Sequence, residues 1–322
     1  MTAAQALLVS LTACLAGAPV ALLVSRDRTL AGWVALGFTL VSSGIALCAA
    51  AAVLISGEAA AATLFAVEPM GLMARFEVDG LSAVFVAIIA TVAPAAALFS
   101  VRYMGQYPEY GVGRYYPSFL VFLAGMYGLV CVSDTMWVFF LFWQMMTVPS
   151  YLLIRFEGKE AANVRAANKY MLMMQAACGL AMAGSAILAS GGGGGAFRYE
   201  FGAVGEGAAA LLVARPVLAA LGFAMLLVGF GIKAGMWPFG QMWLPDAHPA
   251  APSPVSALLS GVMIKTGVYG LMRSFLWLVP EGELGGFPMA GWGLAIGLLG
   301  TVTLFTGTVA ALQQEQSKRL LA

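Results

Sequence analysis

Long apolar runs separated by short polar breaks dominate the chain. At about 20 apolar residues per membrane-crossing helix, the runs predict about nine spans. They fall at roughly 3–24, 30–55, 80–101, 116–133, 135–154, 164–190, 212–247, 255–279 and 288–312, the seventh interrupted. The expected fold class is therefore an all-α polytopic membrane protein. One segment, 56–79, breaks the pattern. There Arg75-Phe76-Glu77-Val78-Asp79 alternates polar and apolar residues with period two, which predicts a short half-buried strand or a β-hairpin over about 64–79. The run Gly191–Gly195 reads as a flexible spacer. It lacks the flanking strand that a phosphate-cradling loop needs.

Composition sharpens this reading. Of 322 residues, 61% are hydrophobic and 10% charged, with a mean hydropathy of +0.90. A soluble domain carries roughly 25% charge. A soluble enzyme, a disordered chain and a nucleic-acid binder are excluded at once. The net charge of +1 points to no electrostatic partner. Information must lie in the few charges, since each one near lipid needs a reason.

The cysteines Cys14, Cys48, Cys131 and Cys178 all sit in apolar runs, without a C-x-x-C pair, and read as small buried hydrophobes. The single histidine is His248. Clusters need several cysteines and haem needs an axial ligand, so the expectation is that this chain carries no cofactor or metal and that electron transfer belongs to a partner. The 18 methionines read as adaptable packing. The stretch Leu11-Thr12-Ala13-Cys14 faintly resembles a lipoprotein cleavage site. The first basic residue is only Arg26, so a retained first helix is expected.

Basic residues set the predicted orientation. With the N-terminus outside, the inner loops hold Arg26, Arg28, Arg102, Arg114, Arg155, Lys159, Arg165, Lys169, Lys318 and Arg319. The outer loops hold Arg75, Arg198, Arg215 and Arg273. Ten against four predicts an outer N-terminus, an inner C-terminus and an odd number of spans.

Two lysines remain inside spans. Lys233 lies among Gly229, Gly231, Gly235 and Pro238. Proline removes a backbone donor and strains the helix one turn upstream, so the seventh span should break near Lys233 to Pro238. Broken helices are tolerated at membrane depth where they face protein or a watery cavity, and the freed carbonyls attract cations. Such a lysine is a candidate proton carrier; the alternative is an amine snorkelling to the interface. Lys265 is eleven residues past Pro254 and eight before Arg273, near mid-span, where snorkelling is difficult. Between them lies W-L-P-D-A-H-P-A-A-P-S-P, residues 243–254, whose four prolines predict a connection between helices. It carries Asp246 and His248. His248 titrates near physiological pH when unperturbed and is the candidate relay, or else a capped turn residue. In the fifth span Asp134 is placed to cap the helix. Gln144 is either a polar node on a water path or glue between helices. Pro238, Asp246, Lys169 and Lys318 are the supporting residues of this candidate pathway.

The stretch K-A-G-M-W-P-F…W-L-P-D-A-H-P-A-A-P-S-P-V-S-A-L-L-S-G-V-M-I-K-T-G-V-Y-G-L-M-R, with F-E-V-D-G-L-S-A-V-F from residue 76, resembles the antiporter-like membrane subunits. These occur in respiratory complex I, multisubunit Na+/H+ antiporters and energy-converting hydrogenases. The likeness is greatest to the hydrogenase-4 and formate hydrogenlyase type. The resemblance implies two inverted five-helix repeats, the first formed by spans four to eight. It divides the chain into three N-terminal spans with a surface hairpin (1–110), the first repeat (111–280) and the start of a second (281–322). It also implies that Lys233 and Lys265 are the pathway lysines of the seventh and eighth spans. The family's fifth-span glutamate, partner of the seventh-span lysine, is replaced by Gln144, which weakens, retunes or abolishes transfer at Lys233. The terminal Q-Q-E-Q-S-K-R-L-L-A resembles the family's entry into a tenth span. A fragment, a split subunit completed by another chain, or a degenerate subunit are the three expectations that follow.

The function implied is proton, or Na+, translocation within a membrane redox complex of the prokaryotic cytoplasmic membrane. The chain itself makes no chemical bond. Its partners would be iron–sulfur and hydrogenase or NADH-dehydrogenase-like subunits, with no nucleic acid. The alternatives are a degenerate scaffold subunit and the membrane subunit of a bicarbonate-uptake complex.

Overall fold

A computed structural model describes residues 1–67, 72–192, 198–278, 289–315 and 317–320. Helix α1 (Ala3–Leu23) opens with a capping box on Thr2 and Gln5. Helix α2 (Arg28–Ser56) follows, capped by Asp27 and closed by left-handed Gly57. Ser10 donates to the Ser42 carbonyl across these two helices at 2.8 Å. A hydrogen bond of this kind joins apolar helices that have no hydrophobic force between them in lipid.

Strands β1 (Ala60–Val67) and β2 (Leu72–Val78) pair antiparallel, with an irregularity between Thr63 and Phe65. The tip of the expected hairpin, 68–71, lies outside the described residues. Helix α3 (Gly80–Tyr103) starts on the Asp79 cap. Next come α4 (Tyr115–Cys131), α5 (Trp137–Ile154) and α6 (Ala161–Ala189). The Asp134 carboxylate accepts from the N–H groups of Met136 and Val138 at 2.9 Å, capping α5 as its sequence position implies. Part of the glycine spacer, 193–195, also lies outside the described residues.

Helix α7 (Phe201–Ala214) lies mostly between the expected sixth and seventh spans, where no helix was expected, and only its last residues fall within the expected seventh. That span begins later than expected, as α8 (Pro216–Ala234), because Arg215 and Pro216 end the preceding apolar run. Helices α9 (Gly240–Ala250), α10 (Ser253–Leu258) and α11 (Ile264–Met272) follow. A π-helical turn, Leu259–Met263, joins α10 to α11, and another, Arg273–Trp277, extends α11. The chain continues through α12 (Met289–Leu312) and the short α13 (Ser317–Leu320).

Among the described residues eight helices are long and apolar enough to cross a membrane. The expected fourth span is α4, at 17 residues shorter than these and almost entirely buried. The arrangement is that of a multi-pass membrane protein. Helix α12 is the least enclosed: its spanning stretch is unburied, though Trp292 packs on Phe223 and Phe275. Three of the cysteines are buried as expected; Cys48 is exposed on α2, and all four are free thiols.

Candidate functional site around the break in the seventh span

The break begins with backbone chemistry. Gly235 adopts φ +76°, a conformation only glycine reaches cheaply. Its N–H bonds the Ile232 carbonyl, and the Met236 N–H bonds Gly231 at 2.9 Å. This is the Schellman pattern. Pro238 then lacks the donor needed to resume the helix. The interruption expected near Lys233 to Pro238 is thus the segment 235–239. The Ile232 carbonyl also accepts from the Trp243 indole N–H at 3.1 Å, which ties α9 back onto the end of α8.

Lys233 occupies the last turn of α8 and is wholly buried. Its Nζ has no hydrogen-bond partner among the described residues. The amine instead lies 4.1 Å from the centre of the Trp143 ring. An indole face attracts a cation, more strongly once water is excluded. Trp143 is itself fixed, its indole N–H donating to the Met174 carbonyl at 3.1 Å. Phe139 and Phe230 pack around it.

Gln144, the next residue, is engaged elsewhere. Its amide N–H donates to Gln175 Oε1 at 2.9 Å, and Gln175 returns a bond to Gln144 Oε1 at 2.8 Å. Of the two readings open for Gln144, this geometry fits glue between α5 and α6. Sequence reasoning missed Gln175, although a second amide in an apolar run was a visible signal.

His248 and Asp246 do not lie in a loop between helices. Both belong to α9, which contains Pro245 and Pro249. A fixed proline φ is compatible with a helix, and the missing donors are tolerated here because side chains anchor the element from several directions. His248 Nδ1 bonds Ser256 Oγ at 2.9 Å. Its Nε2 is buried without a hydrogen-bond partner among the described residues. Asp246 accepts from Lys169 at 2.6 Å, with Arg319 at 3.8 Å. Lys318 donates to the Ala251 carbonyl at 2.9 Å. Lys169 thus reaches α9 through Asp246, and Lys318 reaches the residue that follows it.

Lys265 departs from the expectation of an enclosed amine. It is exposed, its Nζ donating to the Ser260 carbonyl at 3.1 Å in the π-helical turn. The buried positions of α11 are Thr266, Gly267, Tyr269 and Gly270, and residue 265 falls off that face. Gly267, rather than Lys265, is the point where α11 meets the break: a Cβ there would collide with Ala234 and the Lys233 carbonyl carbon.

A second polar cluster lies on the hairpin face. Arg273 clamps Asp79 with two bonds of 2.5 and 2.9 Å and donates to Ser82 Oγ at 3.0 Å and Tyr269 Oη at 3.2 Å. Burial acts to raise the Asp79 carboxyl, but the guanidinium and the Ser82 N–H override it and hold the group below the usual aspartate range. Sequence reading treated Arg273 as a loop residue. A cleft of about 360 Å³, lined by Arg75, Glu77, Asp79 and Glu200, ends at Arg273 and Tyr269. Behind them a cavity of about 20 Å³, room for about one water, reaches Phe139 and Phe230 beside Trp143.

An interrupted apolar helix that encloses a lysine, within a multi-pass helical array, is the architecture of this chain. The sequence comparisons give its family. Residues 133–322 match the family model described as "NADH:quinone oxidoreductase/Mrp antiporter, TM", and 64–116 match the complex I chain 5 N-terminus. The chain belongs to this antiporter-like family. It is 31% identical to Hydrogenase-4 component B of Escherichia coli K12 over 76% of its length and 34% of the relative's. It is 32% identical to NADH-quinone oxidoreductase subunit M of the same strain, over 78% and 47%. The chain thus spans about a third to a half of these relatives. Among solved structures it matches a chain of the archaeal membrane-bound sulfane sulfur reductase, with a TM-score of 0.83 at 21% identity. That match covers 98% of this chain and 61% of the other. A chain of the Mrp complex from Dietzia sp. DQ12-45-1b gives 0.78 at 23%, covering 100% and 56%.

Proposed function

We propose that this chain translocates protons, or Na+, as one subunit of a membrane redox complex of the hydrogenase or NADH:quinone type. In this reading iron–sulfur and hydrogenase or dehydrogenase-like subunits supply the driving force. The membrane is the prokaryotic cytoplasmic membrane, with the N-terminus outside. The observation that carries the reading is Lys233: a wholly buried amine without a hydrogen-bond partner among the described residues, at the end of a broken helix. An intramembrane ionisable group of this kind has little structural use and marks an ion path. Thr147 Oγ1 and His248 Nε2 are also buried without partners among the described residues. Polar atoms in that condition are satisfied by water, which supports a hydrated route from Lys233 towards His248. Lys265, on the exposed side of α11, would be met by a neighbouring helix or chain.

The test is proton uptake by inverted membrane vesicles energised through the native complex. Lys233→Ala should reduce uptake to background while redox turnover and the amount of assembled complex persist. Uptake at the parental rate in that variant would refute the reading. A second reading, a structural scaffold, is favoured by one observation: Gln144 is spent on Gln175 instead of facing Lys233 with a carboxylate. Under it, Lys233→Ala changes neither uptake nor turnover.

A further inference from the structure

We propose that a cleft on the face opposite the hairpin binds the phosphate headgroup of an anionic phospholipid. The cleft, about 670 Å³, lies where α1 ends, α4 begins and α5 ends, and Arg114, Arg155, Lys159, Glu109, Leu22 and Leu152 contribute to its lining. Its volume suits a small ligand. One wall is built rigidly. Arg28 donates to the carbonyls of Met104, Tyr107 and Tyr110 at 2.6, 2.9 and 3.0 Å, fixing the loop that presents Glu109 and Tyr110. Phe156 packs its ring on Tyr107, Tyr110 and Tyr115, closing the floor. Aromatic clusters of this kind belong at the headgroup level of a bilayer.

The charges then decide what fits. Glu109 and Lys159 engage each other at 2.7 Å. Glu157 and Glu160 lie on the same connection but do not line the cleft. Among the described residues, Arg114 and Arg155 are left as the lining cations without a carboxylate partner; Arg155 donates there to Tyr151 Oη, at 3.0 Å. Two arginine forks suit a phosphodiester, which each can bind through paired N–H groups. A free phosphate would satisfy them equally. The exposed Leu22 and Leu152, at the last turns of two membrane helices, argue for a ligand with acyl chains, and basic pockets between span ends recognise anionic lipids on this principle.

The experiment reloads the delipidated native complex with phosphatidylglycerol or with phosphatidylcholine and counts retained lipid by native mass spectrometry. The wild type should retain phosphatidylglycerol in preference. In Arg114→Gln/Arg155→Gln that preference should fall about 30-fold, at about 1 kcal/mol per arginine. Arg198→Gln, on the hairpin face, should keep it. Equal retention of the two lipids by the wild type, an unchanged preference in the double variant, or the same loss in Arg198→Gln would overturn the proposal. So would inorganic phosphate that binds through Arg114 and Arg155 and displaces the lipid, since the site would then be one for a free anion. The three arginines are exposed, and unfolding midpoints matching the wild type confirm that the variants fold.

Discussion

At the scale of single residues, the site is organised by what surrounds one amine. An indole face holds Lys233 where a carboxylate would be the stronger partner, and the adjacent amide belongs to another helix. The reciprocal bonds of Gln144 and Gln175 predict an energetic coupling. In a double-mutant cycle of Gln144→Ala and Gln175→Ala, followed by thermal unfolding in detergent, the two losses should be non-additive by about 0.6–1.7 kcal/mol. Additive losses would mean that the amides do not work as a pair. Lys233 was legible from sequence because a charge in an apolar run demands a reason. Its contact with Trp143 was not, since which ring faces the amine depends on the rotation of α5 against α8. The direction of Lys265 was not legible for the same reason: its depth along the span can be counted, while the way it points is set by which residues of α11 pack inward.

At the scale of elements, the break in the seventh span was readable because glycine and proline act through the local backbone. What followed it was not. Four prolines within ten positions suggested a connection, yet α9 stands as a helix because Trp243, Asp246 and His248 anchor it to α8, α6 and α10. Those partners lie 8 to 77 residues away in sequence and leave no local signature. The close approach of α11 to the end of α8 depends on Gly267. A methyl there has backbone, not a flexible side-chain tip, in its way. Gly267→Ala should therefore destabilise the protein by about 1–3 kcal/mol, the usual cost of overpacking. The measurement is the unfolding midpoint of the purified variant. An unchanged midpoint would mean that α8 and α11 separate freely, and that the break is not held in place from outside.

At the scale of the whole molecule, one ion pair joins two distant parts of the chain. Asp79 and Arg273 are 194 residues apart, and join the start of α3 to the end of α11. Their side chains keep only 20% and 10% of their exposure. Removing one partner of such a pair leaves a buried charge unanswered, at a cost of about 3–5 kcal/mol. Asp79→Asn should show most of that loss while retaining an oxygen for the Ser82 cap. Asp79→Ala should lose roughly 1 kcal/mol more. The pH dependence has a definite sign. Because the Asp79 carboxyl is held below its ordinary value of 3.8, its contribution is complete above that value and disappears as the pH falls through the lower folded-state value. The difference in unfolding midpoint between wild type and Asp79→Asn should be constant from pH 7 to about 5 and shrink below about 4. A difference that stays constant down to pH 2 would show that the carboxylate's charge does not hold the two halves together. In that case the shape of the α3–α11 contact, rather than its electrostatics, would be what separates the hairpin-face cleft from the cavity leading to Trp143.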